Sequence, residues 1–177
     1  MKKLIAFLLA TVMLLSLAAC GASDKYTVGI CQLVQHDALD AATKGFRDAL
    51  TEKLGDKVVF DEQNASGEPA NCTTIINGFI SKDVDLIMAN ATPALQAAAS
   101  ATDTIPILGT SVTDYAFALE IDNWTGTVGN NISGTSDLAP LDQQAAMIAE
   151  LFPDAKNVGI IYCSAEANSQ YQVDVIV

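Results

Sequence analysis

From Tyr26 to Ser111 the chain switches repeatedly between two hydrophobic periods, and no other feature limits its fold as strongly. YTVGICQL (26–33), KVVFDEQ (57–63), DLIMAN (85–90) and IPILGTS (105–111) are short, apolar and rich in β-branched residues, which predicts four strands. Between the first two, ALDAATKGFRDALTEKL (38–54) has apolar residues at 39, 42, 46, 49, 50 and 54, a helical face that Gly55 closes. NCTTIINGFISK (71–82) repeats the pattern with Ile75, Ile76, Phe79 and Ile80, and PALQAAASAT (93–102) is a third helix. Strands that alternate with helices build a parallel sheet with helices on both faces, because a parallel crossover needs a helix to return the chain. The third and fourth strands are apolar throughout, as burial on both faces requires.

TGTVGNNISG (125–134), a weaker β-rich stretch, ends the first unit. A second unit then opens: DLAPLDQQAAMIAELFP (137–153) reads as a helix closed by Pro153, and NVGIIYCS (157–164) is a strand in the style of YTVGICQ. AEANSQYQVDVIV then starts another helix and reads as cut off. The expected organisation is therefore an N-terminal α/β lobe over 26–131 and the start of a C-terminal α/β lobe over 132–177. An apolar strand with few neighbours leaves an exposed edge. The expectation is that residues after about 137 order poorly and that these 177 residues alone bind a ligand weakly.

The N-terminus is a separate matter. Lys2 and Lys3 precede the apolar stretch IAFLLATVMLLSLAA, and Leu17–Cys20 reads LAAC. This resembles a bacterial lipoprotein signal, which implies a signal peptide over 1–19, a lipid on the sulfur of Cys20 and a flexible tether over 20–25. The alternative is an uncleaved membrane helix, for which the stretch is near the lower length limit. Loss of Lys2 and Lys3 takes the net charge from −12 to −14. So acidic a chain, with no basic run, argues against a nucleic-acid partner.

Catalytic and metal chemistry find little support. With Cys20 set aside, Cys31, Cys72 and Cys163 permit one internal disulfide at most, and buried thiols are the simpler expectation. The lone His36 supplies no zinc cluster, and no nucleotide fingerprint or GxSxG elbow occurs. The reading is a non-enzyme with no metal and no cofactor.

In an open parallel sheet, ligands sit beyond the C-terminal strand ends, near helix N-termini. That rule selects QLVQHDALD, QNASGEPAN, NATPALQ, GTSVTDY and CSAEANSQ, segments full of amides and hydroxyls and without Arg or Lys. Such groups suit a neutral or zwitterionic ligand. In NATPALQ, Thr92 is the predicted N-cap and Pro93 the first helical residue. The free N–H groups there either hold a carboxylate or are simply capped. His36 either reaches a ligand or faces solvent, while Asp114 and Asp137 pair with an ammonium or cap helices.

Taken in order, VGICQLVQHDALDAATKGFRDAL, QNASGEPANC, DLIMANATPALQAAASAT, IPILGTSVTD and GTSDLAPLDQQAAMIAELFPDAKNVGIIYCSAEANSQYQV resemble the tryptophan/tyrosine-type substrate-binding proteins of ABC transporters. The likeness runs through nearly all of the chain after the tether. The resemblance implies a periplasmic-binding-protein-like fold, with two lobes joined by a hinge, the first complete here and the second partial. It implies a lipid-anchored protein on the extracytoplasmic face of the cell membrane that hands an amino acid, tryptophan or tyrosine, to a membrane permease. It places Gln35 and His36 at the cleft, gives the carboxylate to Thr92, Pro93 and Ala94, and sets Thr113 and Asp114 on the same wall with Asp114 facing the ammonium. Ser164, Glu166, Asn168 and Ser169 would close over the ligand from the second lobe. The alternative function is a sensing domain that presents a branched amino acid or a purine-like molecule to a receptor.

Overall fold

The computed structural model describes residues 25–177; the expected signal peptide over 1–19, Cys20 and all of the expected tether but Lys25 lie outside the described residues. Five strands form one sheet: β1 (Tyr26–Gln32), β2 (Val58–Asn64), β3 (Leu86–Asn90), β4 (Ile107–Val112) and β5 (Ile132–Ser136). Every pairing between them is parallel, and the spatial order is β2-β1-β3-β4-β5. The chain moves one way from β1 to β2 and the other way from β3 onward. The order therefore reverses between β1 and β3, where Gln32 and Asn90 lie in register at the strand ends.

Among the described residues six α-helices accompany the sheet: α1 (Asp37–Leu54), α2 (Pro69–Ser81), α3 (Thr92–Ala101), α4 (Tyr115–Ala118), α5 (Leu141–Leu151) and α6 (Ala167–Ile176). Alternation along β1 feeds two cores. Val28 and Ile30 meet Met88 under Phe46 and Leu50 of α1, while Cys31 joins Ile76 and Phe79 of α2 and Leu95 of α3 on the opposite face. Burial of this order, about 1.5–3 kcal/mol for each large apolar side chain, is what holds the sheet between its helices. Gly29 allows α2 to come close: a Cβ there would stand 2.6 Å from the Phe79 ring. None of the described helices is long and apolar enough to cross a membrane.

The sequence expectations hold for the first four strands and the first three helices to within a few residues at each end. Three places differ. First, the weak β stretch forms β5 beside β4, so the lobe boundary drawn at 131/132 falls inside the continuous sheet. The free edge of β4 offers unpaired backbone groups, and the next extended segment takes them. Gly134 is required in that pairing, since a Cβ there would stand 2.8 Å from the Gly109 nitrogen.

Second, α5 begins at Leu141 and not at 137, because Pro140 disfavours a helical conformation in the residue before it. It stops at Leu151, just short of Phe152-Pro153, for the same reason. Third, residues 157–164 form no strand, and Ile161 is fully exposed at 102%. A strand is completed by a neighbour's N–H and C=O groups, and none of the described segments lies alongside this one.

Candidate functional site

The reversal of strand order between β1 and β3 is where an open sheet leaves a crevice. Here the crevice floor is a buried amide network. Gln32 donates from Nε2 to the Val34 carbonyl at 2.9 Å and to Asp40 Oδ1 at 2.6 Å, and its Oε1 accepts the Thr43 hydroxyl at 2.6 Å. Asn90 Nδ2 donates to the Leu39 carbonyl at 2.8 Å and to Thr43 Oγ1 at 2.9 Å. Gln32, Thr43 and Asn90 are all buried, so these bonds lock the first turns of α1 onto the ends of both strands. Asn90 Oδ1 has no partner.

The chain then passes from β3 into α3 through a single residue. Ala91 still donates its N–H to the Thr110 carbonyl at 3.0 Å, as if the strand went on, while its own carbonyl already accepts from Leu95 N–H at 3.1 Å. Doing both forces φ to 98° and ψ to 158°, a region that favours glycine and costs about 1–3 kcal/mol for other residues. Ala91 is therefore the N-cap. Thr92, predicted in that place, falls in the first helical turn with Pro93 beside it, because β3 pairing leaves no spare residue for a side-chain cap. Thr92 Oγ1 is buried without a hydrogen-bond partner. Pro93 and Ala94 are buried with it.

Beyond β4, Thr113 is buried and Asp114 caps α4, its Oδ1 accepting the Phe117 N–H at 2.7 Å. Gln96 Nε2 donates to the Ala118 carbonyl at 2.9 Å, which ties α3 to α4. Helix α6 packs against α3, α4 and α5. Its Tyr171 ring lies 5.0 Å from the Phe117 ring, centroid to centroid, tilted by 44°. Between α4 and α6 runs an open groove of about 670 Å³, lined by Gln96, Asp114, Phe117, Glu120, Gln170 and Tyr171 among others, with no Lys or Arg in its wall. The groove is aromatic and acidic. Tyr115, under the same helix, has its phenol pushed up to about 12 by burial and by nearby Asp137.

The structure distributes the predicted site residues unevenly. Asp114 lines the groove, and Asn168 and Ser169 stand half-buried in the first turn of α6, where Asn168 Oδ1 is buried and unpaired. Glu166 is the α6 cap residue, without a side-chain bond. Gln35 and His36 are exposed at the start of α1, and His36 Nδ1 accepts the Ala38 N–H at 3.2 Å as its cap. Ser164 is exposed in the unpaired stretch. Gln32, Asn90, Phe117 and Tyr171 did not stand out in the sequence. For Asn90 the signal was its place as the last residue of a buried strand; for the aromatic pair, 54 positions apart, there was none.

A one-directional sheet whose order reverses over a polar floor, with a partial second unit leaning on its helices, is the construction of a periplasmic-binding-protein-like lobe. The chain belongs to the family of ABC transporter substrate binding proteins, which it matches over residues 27–177. It is 43% identical over 150 residues to a tyrosine-binding protein of Clostridioides difficile (strain R20291), an alignment that covers 83% of this chain and 43% of that protein. Among solved structures it is similar to a conserved domain protein from Vibrio cholerae, with a TM-score of 0.79 and 36% identity. It is also similar to an ABC domain in complex with L-Trp from Streptococcus pneumoniae, with a TM-score of 0.78 and 34% identity. Each alignment covers 86% of this chain and 52% of the other, so the chain spans about half the length of the proteins it matches.

Proposed function

We propose that this protein is the extracytoplasmic binding component of an ABC importer, anchored by a lipid on Cys20, and that it holds an aromatic amino acid between two lobes for delivery to the permease. The observation that carries this reading is the groove between α4 and α6, where Phe117 and Tyr171 supply aromatic surface beside the carboxylate of Asp114. An α-ammonium group suits Asp114, whose Oδ1 accepts the α4 cap bond and leaves Oδ2 for a ligand. A carboxylate suits the tip of α3, where the helix dipole and the N–H groups of Thr92 and Ala94 attract an anion without any arginine. Thr92 Oγ1 on α3 and Asn168 Oδ1 on α6, both buried and unpaired, support a polar ligand held between these two helices. In this reading Pro93 sets the tip, and Thr113 after β4 with Gln35, His36, Ser164, Glu166 and Ser169 completes the walls once the lobes close. Relatives named for tyrosine and solved with L-Trp support the aromatic choice.

Titration calorimetry on the intact protein tests this. L-tryptophan or L-tyrosine should bind with one-to-one stoichiometry. Asp114→Asn keeps an equally good helix cap but removes the charge, and it should weaken binding by roughly 10- to 100-fold without unfolding α4. Binding of leucine or a nucleoside, with no heat from either aromatic amino acid, would refute the proposal.

A further inference from the structure

Two thiols meet inside the larger core, where nothing in ligand binding uses them. Cys31 is the last residue of β1 before Gln32, in register with Ala89 on one side and Gln63 on the other. Cys72 stands in the first turn of α2. Both are at 0% exposure, both belong to the same core cluster, and both are free thiols. Helix α2 packs on β1, and each thiol is the group that most influences the other's ionisation. The third described thiol, Cys163, is exposed and far along the chain in the unpaired stretch.

We infer that Cys31 and Cys72 are a disulfide-forming pair, a redox modification site that fastens α2 to the end of β1. Oxidation proceeds by thiol–disulfide exchange with an external protein or low-molecular-weight disulfide. The thiolate of one cysteine attacks one sulfur of that disulfide and releases the first thiol; the sulfur of the other cysteine then displaces the second and gives its proton to solvent. One S–S bond forms in the protein, two protein S–H bonds are lost, and the external disulfide leaves as two thiols. Because neither sulfur is exposed, exchange takes place before α2 docks or while it is lifted. Closure of the bond encloses residues 32–71, which include α1, β2 and the polar loop between β1 and α1. A loop of this length restricts the unfolded chain enough to raise the melting temperature by roughly 10 °C.

The test uses the full chain, incubated with oxidised glutathione at a graded urea concentration, quenched in acid, alkylated in denaturant and mapped by mass spectrometry. The expected product is a linked Cys31–Cys72 peptide, lighter than the two separate peptides by two hydrogens. It should be accompanied by a higher melting temperature that dithiothreitol reverses. Cys72→Ala should abolish both effects; if that variant does not fold, the peptide map and the reversal by reductant decide the matter. Full alkylation of both cysteines, or glutathione adducts on each without a linked peptide, would overturn the inference. So would a linked peptide with a lowered melting temperature.

Discussion

Strand β1 and residues 157–164 are written in nearly the same letters, YTVGICQ against NVGIIYCS, yet they occupy opposite environments. Ile30 in β1 is at 0% exposure, and Ile161 is at 102%. Each stretch is apolar and β-branched, and each is followed by a helix. The difference lies in their neighbours. β1 is paired along both edges and covered on both faces, whereas 157–164 is paired on neither edge. An apolar run permits a strand, and pairing completes it. Of the non-glycine residues with positive φ among the described residues, only Ala91 is buried, while Ser66, Asp83, Glu120 and Asn130 stand in exposed turns.

Substitution can break this contrast. Ile30→Ala should cost about 2–5 kcal/mol in urea unfolding, because it opens a cavity between β1 and α1, whereas Ile161→Ala should stay within about 0.5 kcal/mol. Equal costs would mean that 157–164 is packed after all.

The strand ends offer a finer comparison. Asn90→Ala removes the bonds to Leu39 and Thr43 and leaves their groups buried, which should destabilise the fold by about 1–3 kcal/mol; Ser164→Ala, at the end of the unpaired stretch, should be silent by the same measurement. The smallest effect has the opposite sign. Ala91→Gly should stabilise the protein by up to about 1 kcal/mol, since glycine adopts the 98°, 158° conformation without a Cβ penalty. Loss of stability there would show that the turn is not strained.

Much of this fold was legible in the sequence because its signals are local. Period 3.6 marked α1 and α2, continuous apolar runs marked β3 and β4, and Gly55 marked the end of α1. Asp114 was legible as a candidate for both cap and ligand. The cap at Ala91 was not, because Thr92-Pro93 carries the stronger local signature and the deciding bond, Ala91 to Thr110, comes from another strand. Nor was α4, a helix of four residues with too few positions to show a period. The Phe117–Tyr171 contact joins two helices far apart in the chain, and periodicity is blind to such a pairing.

The amino-acid order alone determined that this chain makes a parallel α/β lobe, that its strand ends carry uncharged polar groups, and that its surface is acidic, because periodicity and residue chemistry act within a few positions. Only the tertiary structure decided that β5 pairs in parallel with β4, that 157–164 stays unpaired, and that Gln32, Thr43 and Asn90 interlock beneath the crevice. Those outcomes depend on which backbone edge or buried polar group finds a partner, and the partner stands tens of residues away.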